Sequence, residues 1–349
     1  MTAQIRIDLY SDTITRPSPG MRRAIAGAEV GNEQAGEDPA VNRLSEMVAE
    51  LLGKESALFV PSGTMCNQIA FRVYCRPGDE IILDKTAHPL HSETGGVAAL
   101  SGAMTRPVDG DHGVFSATQV DEAVRTDSRH APRSRVVSIE QTSNRGGGAI
   151  WPLETIQAVA QTARGHGLAV HMDGARLLNA VVATGIPARD YVAPCDSAWI
   201  DFSKGLGAPV GAALAGSREL VDEAWRWKHQ FGGAMRQAGI IAAAGIYALE
   251  HNVERLAEDH ENARVLALAL AEIPQLDLET DRVETNMVYF DVGATGLSAK
   301  EMRARLLERG VRIGAVGPTL MRAVTHLDVS RAEVEEAARA VAEVVAELR

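Results

Sequence analysis

The sequence predicts an α/β protein: a mostly parallel sheet covered by helices on both faces, followed by a smaller α+β unit. Three observations carry this. Between Ser56 and Gly216, short apolar runs alternate with helix-length stretches, the pattern of a parallel sheet with crossover helices. After Arg218 the alternation stops, and long helical stretches mix with a few strand-like runs. Finally, 349 residues are too many for one simple core. Two units are therefore expected, residues 1–250 and residues 251–349.

The elements follow in order. Residues 1–20 read as irregular, because Thr15-Arg16-Pro17-Ser18-Pro19-Gly20 blocks regular structure. A short helix is expected over 21–28 and a polar loop over 31–39. Pro39 opens a helix with Val41, Leu44, Met47, Val48, Leu51 and Leu52 at helical spacing, and Gly53 closes it. A strand over 56–60, the turn Ser62-Gly63-Thr64 and a helix over 65–74 come next. Strands are expected over 80–83, 134–140, 168–172, 197–202 and 210–216, with helices over 93–100 and 153–166. In the last third, helices are expected over 218–228, 240–273, 300–310 and 330–348, and strands over 276–281, 287–292 and 321–324.

Composition narrows the function. The net charge of −11 disfavours nucleic acid, which calls for a basic face, and gives no support for an anionic membrane surface. Cys66, Cys75 and Cys195 are far apart with no C-x-x-C, so neither a disulfide framework nor a zinc site is expected. The opening residues have no apolar core of a signal peptide, and no uncharged apolar stretch approaches membrane-spanning length, so the cytoplasm is the expected compartment.

Two strand ends carry chemistry. An apolar run leads into Ser203-Lys204, and a glycine-rich turn follows. A lysine so placed could form Schiff bases with carbonyl compounds, or could be a surface residue in a β-turn. Upstream, Asp173 is the first acid after the apolar run 167–170, with Arg176 three residues on. Ligands of open α/β sheets gather at the carboxyl ends of the strands. A lysine for the carbonyl and an acid for the ring nitrogen are what a pyridoxal phosphate site needs. Ser62-Gly63-Thr64, between a strand and a helix, offers free backbone N–H groups to a phosphate, and would equally make an ordinary N-cap.

Six motifs in order are more specific than any one. They are Ser11-Asp12-Thr13, Gly36 to Pro39, Pro61 to Gln68, His171 to Ala180, Phe202 to Gly211 and Gly232 to Gly239. On them the chain resembles, from about Asp8 to Arg349, the threonine aldolase family of fold-type I pyridoxal-phosphate enzymes, also called the β-eliminating lyases. The resemblance implies a seven-stranded sheet and cleavage of β-hydroxy-α-amino acids to glycine and an aldehyde. It implies Lys204 as the cofactor lysine beside Ser203, Asp173 at the ring nitrogen, and Ser62, Gly63 and Thr64 as the phosphate cup. Arg236 would reach the phosphate from a neighbouring subunit of a homotetramer with active sites at the dimer interface. His88 would stack on the ring and serve as base, with Glu93 acting through a water. Ser11 and Arg322 would bind the substrate carboxylate, and Arg176 would sit near the cofactor's phenolic oxygen and that carboxylate. His326 would support the interface between units, and the Gly36–Pro39 loop would edge the site.

Tyr10, Ala35, His91, Ser92 and the segment Glu140 to Asn144 depart from the family's usual residues. They fall mostly near the expected substrate face, which keeps open β-elimination to a keto acid and ammonia, or a preference for bulky phenylserine-like substrates. A non-catalytic protein on the same fold is the remaining alternative.

Overall fold

The computed structural model describes residues 4–348. The N-terminal three residues used in the signal-peptide reading, and Arg349 at the end of the family resemblance, lie outside them. In chain order the strands are β1 (Ile7–Leu9), β2 (Ser56–Val60), β3 (Glu80–Asp84), β4 (Met104–Val108), β5 (Ser134–Glu140), β6 (Ala169–Gly174), β7 (Ser197–Asp201), β8 (Ala212–Gly216), β9 (Met287–Asp291), β10 (Val311–Ala315) and β11 (Leu320–Val324).

Seven of them form the larger sheet, in the order β2-β8-β7-β6-β5-β3-β4. Pairs from β4 through β7 are parallel, and β8 runs antiparallel to both its neighbours. Every residue of β3 and β8 is buried, as expected for strands covered on both faces. The helix Pro39–Leu52 packs Val41, Leu44, Val48 and Leu52 into the main core. Asp38 caps that helix by accepting from Val41 N, and it also accepts from Gly239 N at 2.8 Å. The Gly36–Pro39 loop therefore fastens two helices together.

The second sheet has the order β1-β10-β11-β9. Its core is separate, built from Ile7, Leu9, Leu266, Phe290, Met302, Ile313 and Val341 among others. The N-terminal strand β1 thus joins a sheet made otherwise from the last quarter of the chain. His326 braces it there, its Nε2 lying 2.8 Å from the Asp8 carbonyl oxygen.

Several elements differ from the sequence reading. The helix expected over 240–273 is two, Gly239–His251 and Leu256–Ala271. The break falls at Asn252, whose side chain donates to the Leu206 carbonyl at 2.7 Å instead of continuing the helical face. The strand expected over 276–281 is reduced to one bridge, Asp277 with Asp291, before the turn Thr280–Arg282. Over 93–100 the chain makes no ordinary α-helix. Thr94 and Gly95 have φ of 54° and 72°, and a wide helical turn follows over Val97–Ser101. The strands β1, β4 and β10 were not expected.

Candidate active site

The carboxyl ends of β5, β6 and β7 build one wall. Glu140 of β5 is in register with Asp173 of β6, and Asp173 is in register with Trp199 of β7. In-register neighbours on adjacent strands point to the same face, and all three border a cavity of about 380 Å³. The last residue of β7 and the turn after it add Asp201, Ser203 and Lys204, and the N-cap and first residues of the helix Gly63–Tyr74 add Ser62, Gly63 and Thr64. Ser11, His88, Ser92, Asn144, Arg176 and Arg322 close the remainder. Gly63 is required there, because a Cβ would lie 2.2 Å from the Trp199 ring. Its lack of a side chain lets the helix N-terminus sit on the indole beside the cavity.

Asp173 is buried at 2% exposure. Its Oδ1 accepts from Ala175 N at 3.1 Å and its Oδ2 from Asn67 Nδ2 at 2.8 Å. Burial pushes its carboxyl above the ordinary range, against the pull of Lys204 and of the Asn67 hydrogen bond. Asn67 Nδ2 also donates to Glu93 Oε1 at 2.7 Å, while Asn67 Oδ1 accepts from Trp199 Nε1 at 2.7 Å. Behind it, His171 Nε2 lies 3.1 Å from Asn67 Oδ1, and burial lowers that imidazole to about 3, so His171 is neutral.

His88 Nδ1 lies 2.9 Å from Glu93 Oε1. A carboxylate there fixes the proton on Nδ1 and leaves Nε2 as the ring nitrogen for a ligand. Burial works to lower the His88 value, but the Glu93 bond and the charges of Asp173, Glu93 and Glu140 outweigh it, and the net shift is upward. Glu93 itself is held by Gln68 Nε2 at 2.6 Å and does not border the cavity. Its reach into the site is through His88.

Glu140 accepts from His88 N and from Asn144 N, each at 2.9 Å. Burial and the Asp173 charge push its carboxyl up to about 7. Asn144 in turn accepts from Arg322 Nη1 at 3.0 Å, and Arg322 Nε has no hydrogen-bond partner among the described residues. Arg176 borders the cavity, but two of its donors are taken by a bidentate pair with Asp12, at 2.7 and 2.6 Å. Burial raises the Asp12 carboxyl, and Arg176 more than reverses this, so Asp12 stays ionised. Ser11 Oγ accepts from Thr13 N and Thr13 Oγ1 at the cavity edge.

Ten of the residues singled out in the sequence therefore meet at one cavity: Ser11, Ser62, Gly63, Thr64, His88, Asp173, Arg176, Ser203, Lys204 and Arg322. Glu93 stands one hydrogen bond behind, and exposed Arg236 lies off the cavity lining. Sequence reasoning gave no role to Asp12, Asn67, Trp199 or Asp201, and saw the segment from Glu140 to Asn144 only as a departure. Asp12 and Asn67 lie inside the quoted motifs, and Trp199 and Asp201 lie just before one, which was the available signal; the segment from Glu140 to Asn144 lies outside all six.

This architecture, a seven-stranded sheet with lysine and aspartate at adjacent strand ends, is that of fold-type I pyridoxal-phosphate enzymes. A threonine aldolase structure from Leishmania major superposes with a TM-score of 0.84 at 20% identity, covering 97% of this chain and 99% of that one. In sequence, the beta-eliminating lyase family matches residues 8–293. The low-specificity L-threonine aldolase of Escherichia coli (strain K12) is 42% identical over 333 residues, 95% of this chain and 97% of its own. Low-specificity L-threonine aldolase 1 of Arabidopsis thaliana is 37% identical, covering 94% of this chain and 93% of its own. The chain belongs to the beta-eliminating lyase family.

Proposed function

We propose that this protein binds pyridoxal phosphate in the cavity and cleaves β-hydroxy-α-amino acids of the L-threonine kind to glycine and an aldehyde. The observation that carries the reading is the opposition of groups across one cavity. The Lys204 amine and the buried Asp173 carboxylate face a helix N-terminus at Ser62-Gly63-Thr64. The residues fit the cofactor chemically. A primary amine meets an aldehyde, a buried acid held by Asn67 meets a ring nitrogen, and unpaired backbone N–H groups meet a phosphate.

Bound there, pyridoxal phosphate supplies an electron sink for the charge left when the Cα–Cβ bond breaks. The rest falls to the chain. Asp173, held by Asn67 and the Ala175 N–H, would share a proton with the ring nitrogen. Arg322, with Nε unpaired among the described residues, and Ser11 would bind the substrate carboxylate and so fix its orientation in the cavity. His88 takes the β-hydroxyl proton at Nε2, and Glu93 stabilises the resulting imidazolium through Nδ1. Arg176, fixed by Asp12, would add positive charge to the cavity. Arg236 contributes to the phosphate site from a second copy, within a homotetramer. The likeness to low-specificity L-threonine aldolases supports an enzyme acting on a small amino acid, and the reading places it in the cytoplasm. In this reading the smaller unit comprises residues 251–348 together with β1.

The experiment is product analysis with L-threonine, L-allo-threonine and L-phenylserine, measuring glycine, aldehyde, keto acid and ammonia together, with Lys204→Ala as control. Equal glycine and aldehyde, lost in the variant, are expected. Keto acid with ammonia would replace the aldolase by an eliminating lyase. Cofactor binding without turnover of any amino acid would make it a binding protein.

A further inference from the structure

The Lys204 amine has a close partner outside the groups assigned so far. Its Nζ lies 3.1 Å from Asp201 Oδ2, and 5.7 Å from the centre of the Trp199 ring. Asp201 ends β7 and pairs with Ala212 of β8. Its other oxygen, Oδ1, accepts from Ser203 N and Ser203 Oγ, each at 2.7 Å. The carboxylate is thus pinned by the turn on one side and offers its second oxygen to the amine. Both side chains are shielded, 18% exposed for Lys204 and 7% for Asp201. Asp173 and Asp12 act on the amine from farther off.

We propose that Asp201 is the seat of the Lys204 ammonium whenever that amine is not bonded to a carbonyl compound. It is a positioning residue that holds the lysine in place and limits its rate of attack. The inference rests on the reading of Lys204 as the cofactor lysine. An ammonium has no lone pair, so only the neutral amine attacks a carbonyl carbon. At 3.1 Å in a shielded site, the Asp201 carboxylate holds that ammonium by its N–H groups, and the amine must leave it to attack. Asp173 is engaged by Asn67 and Ala175, so the two acids divide the work: Asp201 serves the lysine and Asp173 the ring nitrogen.

The test is timed acetylation of the full-length chain, stripped of cofactor, at pH 8. Modification of Lys204 is counted by mass spectrometry against exposed Lys300. Asp201→Asn keeps an acceptor for Ser203 and removes the charge, and Lys204 is expected to react about tenfold faster in it than in the natural chain. Asp201→Ala carries the same expectation, and serves if the Asn variant does not retain the natural circular dichroism. Asp201→Glu restores the charge and is expected to bring the rate back, which a merely structural role would not do. Equal rates in the natural chain and the charge-free variants overturn the proposal. A parallel sample receives pyridoxal phosphate before labelling, and protection of Lys204 with a visible absorption band is expected. Loss of that protection, with the rate difference intact, would overturn the cofactor reading and leave the ion pair standing.

Discussion

Asn67 donates a hydrogen bond to Asp173 Oδ2 at 2.8 Å from a helix that begins at the cavity mouth. The same amide nitrogen reaches Glu93 at 2.7 Å, so one side chain spaces two carboxylates that would otherwise repel. Asn67→Ala strips a partner from Asp173, Glu93 and the Trp199 indole together. Leaving buried polar groups unpaired costs about 1–3 kcal/mol each, so a stability loss of at least about 2 kcal/mol is expected in urea unfolding. Cofactor affinity, measured by titration of the visible absorption, is expected to fall with it. Unchanged affinity would remove Asn67 from the site.

Glu93→Gln tests the charge behind His88. With the carboxylate present the His88 value is raised, so neutral imidazole, the form that accepts a proton, is available only at higher pH. The acid limb of kcat/KM is expected to move to lower pH in Glu93→Gln, with a lower plateau because the imidazolium formed in the reaction loses its partner. For stability the sign is the same. A folded value raised above the unfolded one contributes fully below the unfolded value and is lost as pH rises through the folded one. A pH profile unmoved by the substitution would show that another group is the base.

Glu140 carries a second pH signature. Its carboxyl is raised from the ordinary value near 4.5 to about 7 by burial and by the Asp173 charge. The folded state therefore binds the proton more tightly than the unfolded chain. The Glu140 contribution to stability is largest below about pH 4.5 and is lost as pH rises to about 7. In Glu140→Gln this part of the slope is expected to disappear, and substrate KM to rise, because one of the N–H groups of His88 and Asn144 loses its acceptor. Chemical denaturation at several pH values reads the first effect and steady-state kinetics the second.

Lys228 and Glu33 form a buried ion pair, with side chains 0% and 4% exposed. Glu33 also accepts from Met235 N, and its own N–H donates to the Arg236 carbonyl. Removing one member leaves the other charge buried and alone, at a cost of about 3–5 kcal/mol. Lys228→Met is expected to show that loss in urea unfolding. Replacing both residues by apolar ones of similar size is expected to recover much of it. A single variant as stable as the natural chain would contradict the burial of the pair.

The larger sheet was legible because β2, β3 and β5 to β8 are apolar runs bounded by turn residues. β1 has three residues, too few for a periodic signal. β4 is an edge strand containing Arg106 and Pro107, and its half-exposed pattern reads as loop. The long helix was overextended because Asn252 is compatible with a helix until its bond to Leu206 is seen. In the site, Lys204, Asp173 and Ser62 to Thr64 announced themselves by standing at strand ends. Asn67 did not, because its role consists of bonds to residues 26 to 132 positions away, and Glu140, though it ends β5, acts through bonds to the backbone of His88 and Asn144. Arg236 could not be placed from one chain, since its expected role lies across a subunit boundary.

Among the described strands of the larger sheet, β8 alone runs against its neighbours. The chain leaving β7 therefore turns straight back, instead of crossing over through a helix. The loop bearing Lys204 is tethered at both ends to adjacent strands, and the Phe202 N–H to Gly211 carbonyl bond at 3.0 Å draws those ends together. The lysine's backbone is in effect bolted to the sheet, and its working motion is confined to rotation about the bonds of its own side chain. Moving the amine between its partners therefore requires release of its ion pair with Asp201, and no rearrangement of the loop.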